Sequence, residues 1–282
     1  MEKQLELIRD QQKESWNIFS AGWKKWDHLT MGFMKELGEE ILNYLQPGGN
    51  QQILDIAGGT GEPGLSIAKK LNGGKVLITD IADHMLDVAK EKAEGNNILN
   101  VEFMVCDACE LPFDDNSFDA VSCRFGFMFF PDMQMAANEI YRVLKPEGRF
   151  AATVWNIPEK NFWVTATMGT IMRNMNITPP PPDTPGMFRC AKPGRMKEII
   201  NKSEFRDYNE KEVSLTMNAG TAENYWNFMT EVGAPIVAAL SQADDQMIAK
   251  IKAEVFDQVH QKFPDDNLAL DASALVLTAK KQ

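Results

Sequence analysis

Histidine is nearly absent from this sequence and cysteine is scarce, three of the first and four of the second in 282 residues. Four cysteines (Cys106, Cys109, Cys123, Cys190) do not make the disulfide framework of a small secreted domain. Cys106 and Cys109 form one C-x-x-C, but no second pair exists to complete a zinc site, so no metal is expected. Basic residues are also in deficit. The 29 Lys and Arg against 40 Asp and Glu leave a formal charge of -11, which disfavours nucleic acid as a partner, since phosphate needs a basic surface. No apolar run reaches the ~18 residues of a membrane span, and the opening M-E-K-Q-L-E-L has no apolar signal core. The expectation is a cytoplasmic protein with no integral membrane segment. Apolar residues are plentiful at 44%, enough to bury a sizeable core in one large α/β domain or a core with a cap.

The stretch Q-I-L-D-I-A-G-G-T-G-E-P-G at 52–64 organises the chain. It reads as a buried strand (Ile53, Leu54, Ile56) breaking into a turn with Gly58, Gly59 and Gly61, then a helix from near Glu62 with Pro63 in its first turn. Glycines let the backbone approach a flat ligand, and the helix start offers free N–H groups. Taken literally, G-T-G-E-P-G is a G-x-G-x-x-G with Asp80 ending the next strand about 20 residues on, a dinucleotide fingerprint. Asp55 and Glu62 argue against that ligand, because they would set two carboxylates beside a pyrophosphate. S-adenosyl-L-methionine (SAM) has no phosphate, and its sulfonium and ammonium groups are cationic, which suits a carboxylate at Asp55. The chemistry favours SAM as cofactor, with S-adenosyl-L-homocysteine (SAH) as product.

Strands and helices then alternate: strands at 52–56, 75–79, 101–105, 118–123 and 149–155, helices at 63–71, 83–93 and 133–144. That rhythm indicates βαβ units and a parallel sheet. The fold class is α/β, a doubly wound, mostly parallel sheet. Residues 1–46 read as an N-terminal helical lid, 47–157 as the SAM-binding core, and 158–282 as remaining core strands with helical cap insertions. The last part reads as a helix at 162–175, a stiff proline loop at 178–186, a helix at 193–202, a strand at 205–217, helices over 221–263 and a final strand at 268–279. These insertions are expected to build the substrate wall.

Ligands bind at the carboxyl ends of strands in such sheets, so residues just past each strand carry the chemistry. Asp80 can accept from both ribose hydroxyls, or else cap the next helix, a role also open to Asp83. Asp107 and Ala108 are placed to meet adenine, or to form a plain loop cap. Trp16, Phe19, Trp23 and Trp26 recur at steps of three and four, one aromatic stripe if the helix continues past Gly22. The stripe either packs on the sheet or forms a lid over the cofactor, with a hinge at Gly22. His28 lies beside it and is the candidate general base, with a solvated or structurally satisfied histidine as the alternative. Trp23, Trp26, Phe127, Phe129, Trp155 and Tyr225 are the expected substrate-pocket residues.

The segments L-D-I-A-G-G-T-G, T-D-I-A-D-H-M-L, C-D-A-C-E-L-P-F-D-D-N-S-F-D and Y-R-V-L-K-P-E-G-R resemble the ordered motifs of class I SAM-dependent methyltransferases. Within them they resemble most the ubiquinone/menaquinone C-methyltransferase family, over about residues 16–155. The resemblance implies a seven-stranded sheet. It also implies that Asp55, Ala57, Gly58, Gly59, Thr60 and Gly61 hold the methionine portion, Asp80 with Ile81 the ribose, and Asp107-Ala108 the adenine, with Met85 packed on it. Where that family reads S-F-G-L-R-N after the fourth strand, this chain has R-F-G-F-M-F, so Arg124 and Phe125 take the cofactor-contacting positions. The fifth strand ends in V-W-N-I-P rather than the family's E-F-S-K-P, nearer to broader small-molecule methyltransferases of the group. The expected function is methyl transfer from SAM to a small, partly apolar acceptor by in-line displacement, which needs mainly positioning. A non-catalytic SAM-binding regulator and an NAD-dependent oxidoreductase are the alternatives.

Overall fold

Strand β1 (Gln52–Ile56) carries four buried residues in a row, because helices cover both faces of its sheet. It pairs in parallel with β2 (Lys75–Asp80) on one side and β4 (Phe118–Arg124) on the other. β3 (Val101–Val105) extends the sheet beyond β2, and β5 (Leu144–Trp155) beyond β4. The computed structural model, which describes residues 2–282, adds two long antiparallel strands. β7 (Leu268–Lys280) pairs with β5, and β6 (Arg206–Gly220) pairs with β7 at the edge. The order is β3-β2-β1-β4-β5-β7-β6, a seven-stranded, doubly wound, mostly parallel sheet as the sequence implied. Winding reverses between β1 and β4, which leaves a crevice at their carboxyl ends.

Helices α1 (Glu2–Lys25), α3 (Lys35–Leu45), α4 (Gly64–Ala68), α5 (Asp83–Gly95) and α6 (Met133–Val143) accompany the parallel half, while α2 (Asp27–Phe33) packs against β6. α7 (Phe162–Met175), α8 (Arg195–Lys202), α9 (Ala222–Val232), α10 (Ala234–Leu240) and α11 (Asp245–Lys262) surround the antiparallel half. α6 shows the packing logic. Met133, Ala136, Ala137, Ile140 and Val143 form one buried stripe, and the Asp132 side chain caps the start by accepting from the Gln134 and Met135 N–H groups. No helix among the described residues is long and apolar enough to cross a membrane.

Several local expectations change. α4 covers 64–68 rather than 63–71, because the N–H groups of Asn72 and Gly74 both donate to the Gly49 carbonyl and pull the chain back toward β2. The helical segment expected within residues 1–46 divides into three, with breaks at Trp26 and Met34. Residues 221–263 divide into three helices, the first ending at Gly233 and the second at Ser241. The fifth strand, expected at 149–155, begins already at Leu144, and its pairing jumps from Phe118 opposite Leu144 to Ala120 opposite Arg149.

Gly22 is not a hinge. α1 runs unbroken through it, and a Cβ there would lie 2.1 Å from the carbonyl oxygen of Glu231 in α9. The glycine is the point where two helices come closest. Gly22→Ala is expected to cost about 1–3 kcal/mol, as overpacking commonly does. Urea unfolding checks this, and wild-type stability in the variant would mean that the two helices part freely.

Candidate active site

The crevice is built from backbone that leaves the sheet in an unusual way. Ala57 after β1 has φ 53 and Phe125 after β4 has φ 63, both in the left-handed region that non-glycine residues seldom adopt. The two turns pack directly on each other: a Cβ on Gly126 would lie 2.7 Å from both the Ala57 Cβ and the Cys123 Sγ. Gly59, at φ 54, donates its N–H to the Asp80 carboxylate at 2.9 Å, and the Ala82 N–H donates to the other oxygen at 2.9 Å. Asp80 therefore ties the glycine turn to the start of α5, while each oxygen keeps a second acceptor position. Burial raises its pKa, and the backbone donors oppose that shift. Asn17 of α1 completes the start of α5: its side-chain oxygen accepts from the His84 N–H at 3.1 Å, and its amide donates to Asp83 at 2.9 Å.

Asp55 has another place than the one expected for it. Its carboxylate is fully buried beneath the turn, where it accepts from the Gly64 N–H at 3.0 Å and the Ser122 hydroxyl at 2.6 Å. Burial pushes its pKa up to about 7. The first free N–H of α4 is thus spent inside the protein. Gly61 is likewise structural: at φ 104, a Cβ there would strike Leu65 at 2.7 Å.

Above the turns lies a cavity of about 1260 Å³. Pockets for a single drug-sized ligand typically measure ~300–1,000 Å³, so this cavity is larger than one such ligand requires. Ala57, Gly58, Gly59, Thr60, Asp80, Ile81, Met85, Asp107, Ala108, Arg124 and Phe125 all line it, as does Glu62. Arg124 makes no hydrogen bond or ion pair with the described residues, and burial lowers its pKa against the attraction of Glu62 and Asp55. Trp23, Phe129 and Trp155 are on the wall too. Trp16 and Phe129 meet edge to face at 5.1 Å, and Trp155 stacks on Phe125 at 4.2 Å. The indole N–H of Trp23 is buried with no partner among the described residues. Cys106 also reaches the cavity, but burial pushes its thiol up to about 11, so it is no nucleophile at neutral pH. Among the described residues no cluster of His, Cys, Asp and Glu could hold a metal ion.

Besides Asp55 and Gly61, four expected site residues lie elsewhere. His28 is exposed on α2, away from the cavity. Trp26 turns outward from the stripe, packs against Phe228 and donates its indole N–H to Glu231 at 2.8 Å, fastening α1 to α9. Phe127 is fully buried between Phe130 and Phe150. Tyr225 is fully buried as well, its hydroxyl accepting from Thr167 and donating to the Trp163 carbonyl, both at 2.8 Å. What the sequence reading missed is the chemistry of 178–195, where the proline loop and Arg189, Lys192 and Arg195 form part of the wall. The prolines marked a stiff loop among the insertions expected to build the substrate wall, but nothing local said that the three cations beside it share that wall.

The sequence profile of the ubiE/COQ5 methyltransferase family matches residues 16–168, more than half of the chain. The chain belongs to that family. Among relatives of this ubiE/COQ5 family member, the ubiquinone/menaquinone biosynthesis C-methyltransferase UbiE of Rickettsia prowazekii is 39% identical over 153 residues, covering 50% of this chain and 61% of that protein. The demethylmenaquinone methyltransferase of Thermus thermophilus is 43% identical over 110 residues, 39% of this chain and 50% of that protein. The chain thus spans between half and two thirds of the length of these relatives. In fold, it is similar to the YcgJ protein of Bacillus subtilis (TM-score 0.60, 18% identity, 88% of this chain and 99% of that one). It is also similar to phosphoethanolamine N-methyltransferase 2 of Haemonchus contortus, solved with S-adenosylhomocysteine (TM-score 0.53, 22% identity, 87% of this chain and 52% of that one).

Proposed function

We propose that this ubiE/COQ5 family member is a SAM-dependent methyltransferase acting on a small, partly apolar acceptor. The observation that carries the reading is the charge around the glycine turn. Glu62, Asp80 and Asp107 line that end of the cavity, against Arg124 as the cation there. A pyrophosphate would meet three carboxylates, whereas a cationic nucleoside without phosphate finds acceptors. The residues fit the cofactor: Asp80 for the ribose hydroxyls, Asp107 and Ala108 with Met85 for the adenine, Ala57 to Thr60 and Glu62 for the methionine end, and Arg124 for its carboxylate.

Bound there, SAM supplies an activated methyl group. The chain's own task is to hold the acceptor in line and to exclude water. α1 serves the second need, because Trp16 and Trp23 roof the cavity against Phe129. No histidine lines the cavity, which fits an acceptor whose reacting atom is already nucleophilic. The quinones named for the relatives are not carried over, since α8, α9, α10 and the proline loop lie outside the matched residues. Four free cysteines, three of them buried, fit a reducing, cytoplasmic setting.

Calorimetry with SAH and with NADH tests the reading. SAH is expected to bind one per chain and NADH not at all; a preference for NADH would overturn it in favour of an oxidoreductase. Methyl-labelled SAM incubated with small-molecule extracts then separates enzyme from regulator, because SAH binding without label transfer to any acceptor supports the regulator.

A further inference from the structure

We propose that the acceptor is an anionic amphiphile, an apolar body ending in a carboxylate or phosphate, whose charged group docks at Arg189, Lys192 and Arg195. The proposal rests on the methyltransferase reading and specifies the substrate class for the same cavity.

The protein as a whole is strongly acidic, yet these three cations line one part of the cavity wall. They stand together: Asp183, on the proline loop, feels all three and is held below the usual carboxylate range, chiefly by its hydrogen bond to Arg195. Asp183 is exposed and neutralises one of them. The other nearby carboxylates are committed. Asp132 caps α6, and Glu198 pairs with Lys202 at 2.6 Å. Lys192 has no partner among the described residues.

The two arginines are only partly satisfied. Arg189 donates from its terminal nitrogens to the Phe130 and Pro131 carbonyls, and Arg195 donates to Asp183. The Nε–H of each is buried without a partner among the described residues. An unmet buried donor on a cation costs free energy that an incoming anion would recover. The adjoining wall is apolar, with Met128, Phe130, Met168, Met172, Met187 and Phe188 on the cavity. Flexible methionines suit an aliphatic or irregular body rather than a rigid polar one. An acceptor with one charged end and an apolar body satisfies both regions at once.

Quenching of the cavity tryptophans provides the test, with decanoate, decyl phosphate, 1-decanol, decyltrimethylammonium and inorganic phosphate as probes. Decanoate or decyl phosphate is expected to bind at least about tenfold tighter than 1-decanol, the lower end of what a charged hydrogen bond contributes. Whichever of the two binds tighter identifies the anion. The double change Lys192→Gln with Arg195→Gln leaves Arg189 as the sole cation of the three, so it should cut that preference several-fold and leave 1-decanol binding unchanged. Lys192→Glu, at an exposed position that does not threaten the fold, should weaken the anions alone. Equal binding of 1-decanol and the anions, a preference undiminished by the double change, tighter binding of decyltrimethylammonium, or inorganic phosphate binding as tightly as decyl phosphate would each overturn the proposal. SAH calorimetry on the same samples separates the two readings. SAH binding without anion preference removes only the docking site; anion preference without SAH binding removes the methyltransferase reading.

Discussion

Asp80→Ala is expected to weaken SAH binding by about 100-fold or more, through two losses that act together. A carboxylate hydrogen bond to a ligand hydroxyl is worth about 1.5–3 kcal/mol, which alone is roughly 10- to 150-fold. The same carboxylate also holds the Gly59 and Ala82 N–H groups, so its removal frees the glycine turn as well. A turn that must be ordered at binding adds its own entropic cost. Asp80→Asn retains one acceptor oxygen and should fall between wild type and alanine. Calorimetry at low temperature, where a destabilised variant stays folded, gives the dissociation constants. An unchanged value in the alanine variant would place the ribose elsewhere.

The second large effect concerns pH. Asp55, sealed under the turn, has its pKa raised to about 7 by burial, from an unfolded value near 3.8. The folded protein therefore keeps this proton over a range where the unfolded chain has released it. Stability from this group is fully present below pH 4 and is lost as pH rises through about 7. A gap of about three pKa units corresponds to roughly 4 kcal/mol. Asp55→Asn is neutral at every pH, so the difference in unfolding free energy between wild type and variant isolates the effect from all other carboxylates. That difference should fall steadily from pH 4 to 7 and then level off. Denaturant titrations across this range give the curve, and a flat difference would show that Asp55 is already ionised in the folded protein.

The parallel half of the fold was legible because its signals are local. Glycine or proline punctuates each connection, and the apolar residues of helices such as α6 repeat at helical spacing. Asp80 and Asp107 were legible for a similar reason: a residue just past a parallel strand reaches the crevice whatever lies further away. Asp55 misled because β1 is buried on both faces, so strand alternation does not say which side its carboxylate takes. Trp26, Phe127 and Tyr225 misled differently. Which face of a helix meets a cavity depends on partners distant in sequence, here Glu231 for Trp26 and Thr167 with Trp163 for Tyr225. Gly22 read as a break because helix propensity penalises glycine, whereas α9 requires it.

The placement of β7 between β5 and β6 also governs how the nascent chain matures. Ala151 pairs with Thr278, so β5 waits through about 125 further residues for its neighbour. At roughly 5–20 residues per second, translation leaves that edge open for on the order of ten seconds. β6 is complete well before β7, and its alternating Val213, Leu215, Met217 and Ala219 make it a rival partner for β5. Closing the sheet in the wrong order would strand β7 outside and take from α7, part of the cavity wall, the strand it packs on. A chain shortened before Leu268 would leave the β5 edge and the apolar face of β6 without the strand that joins them.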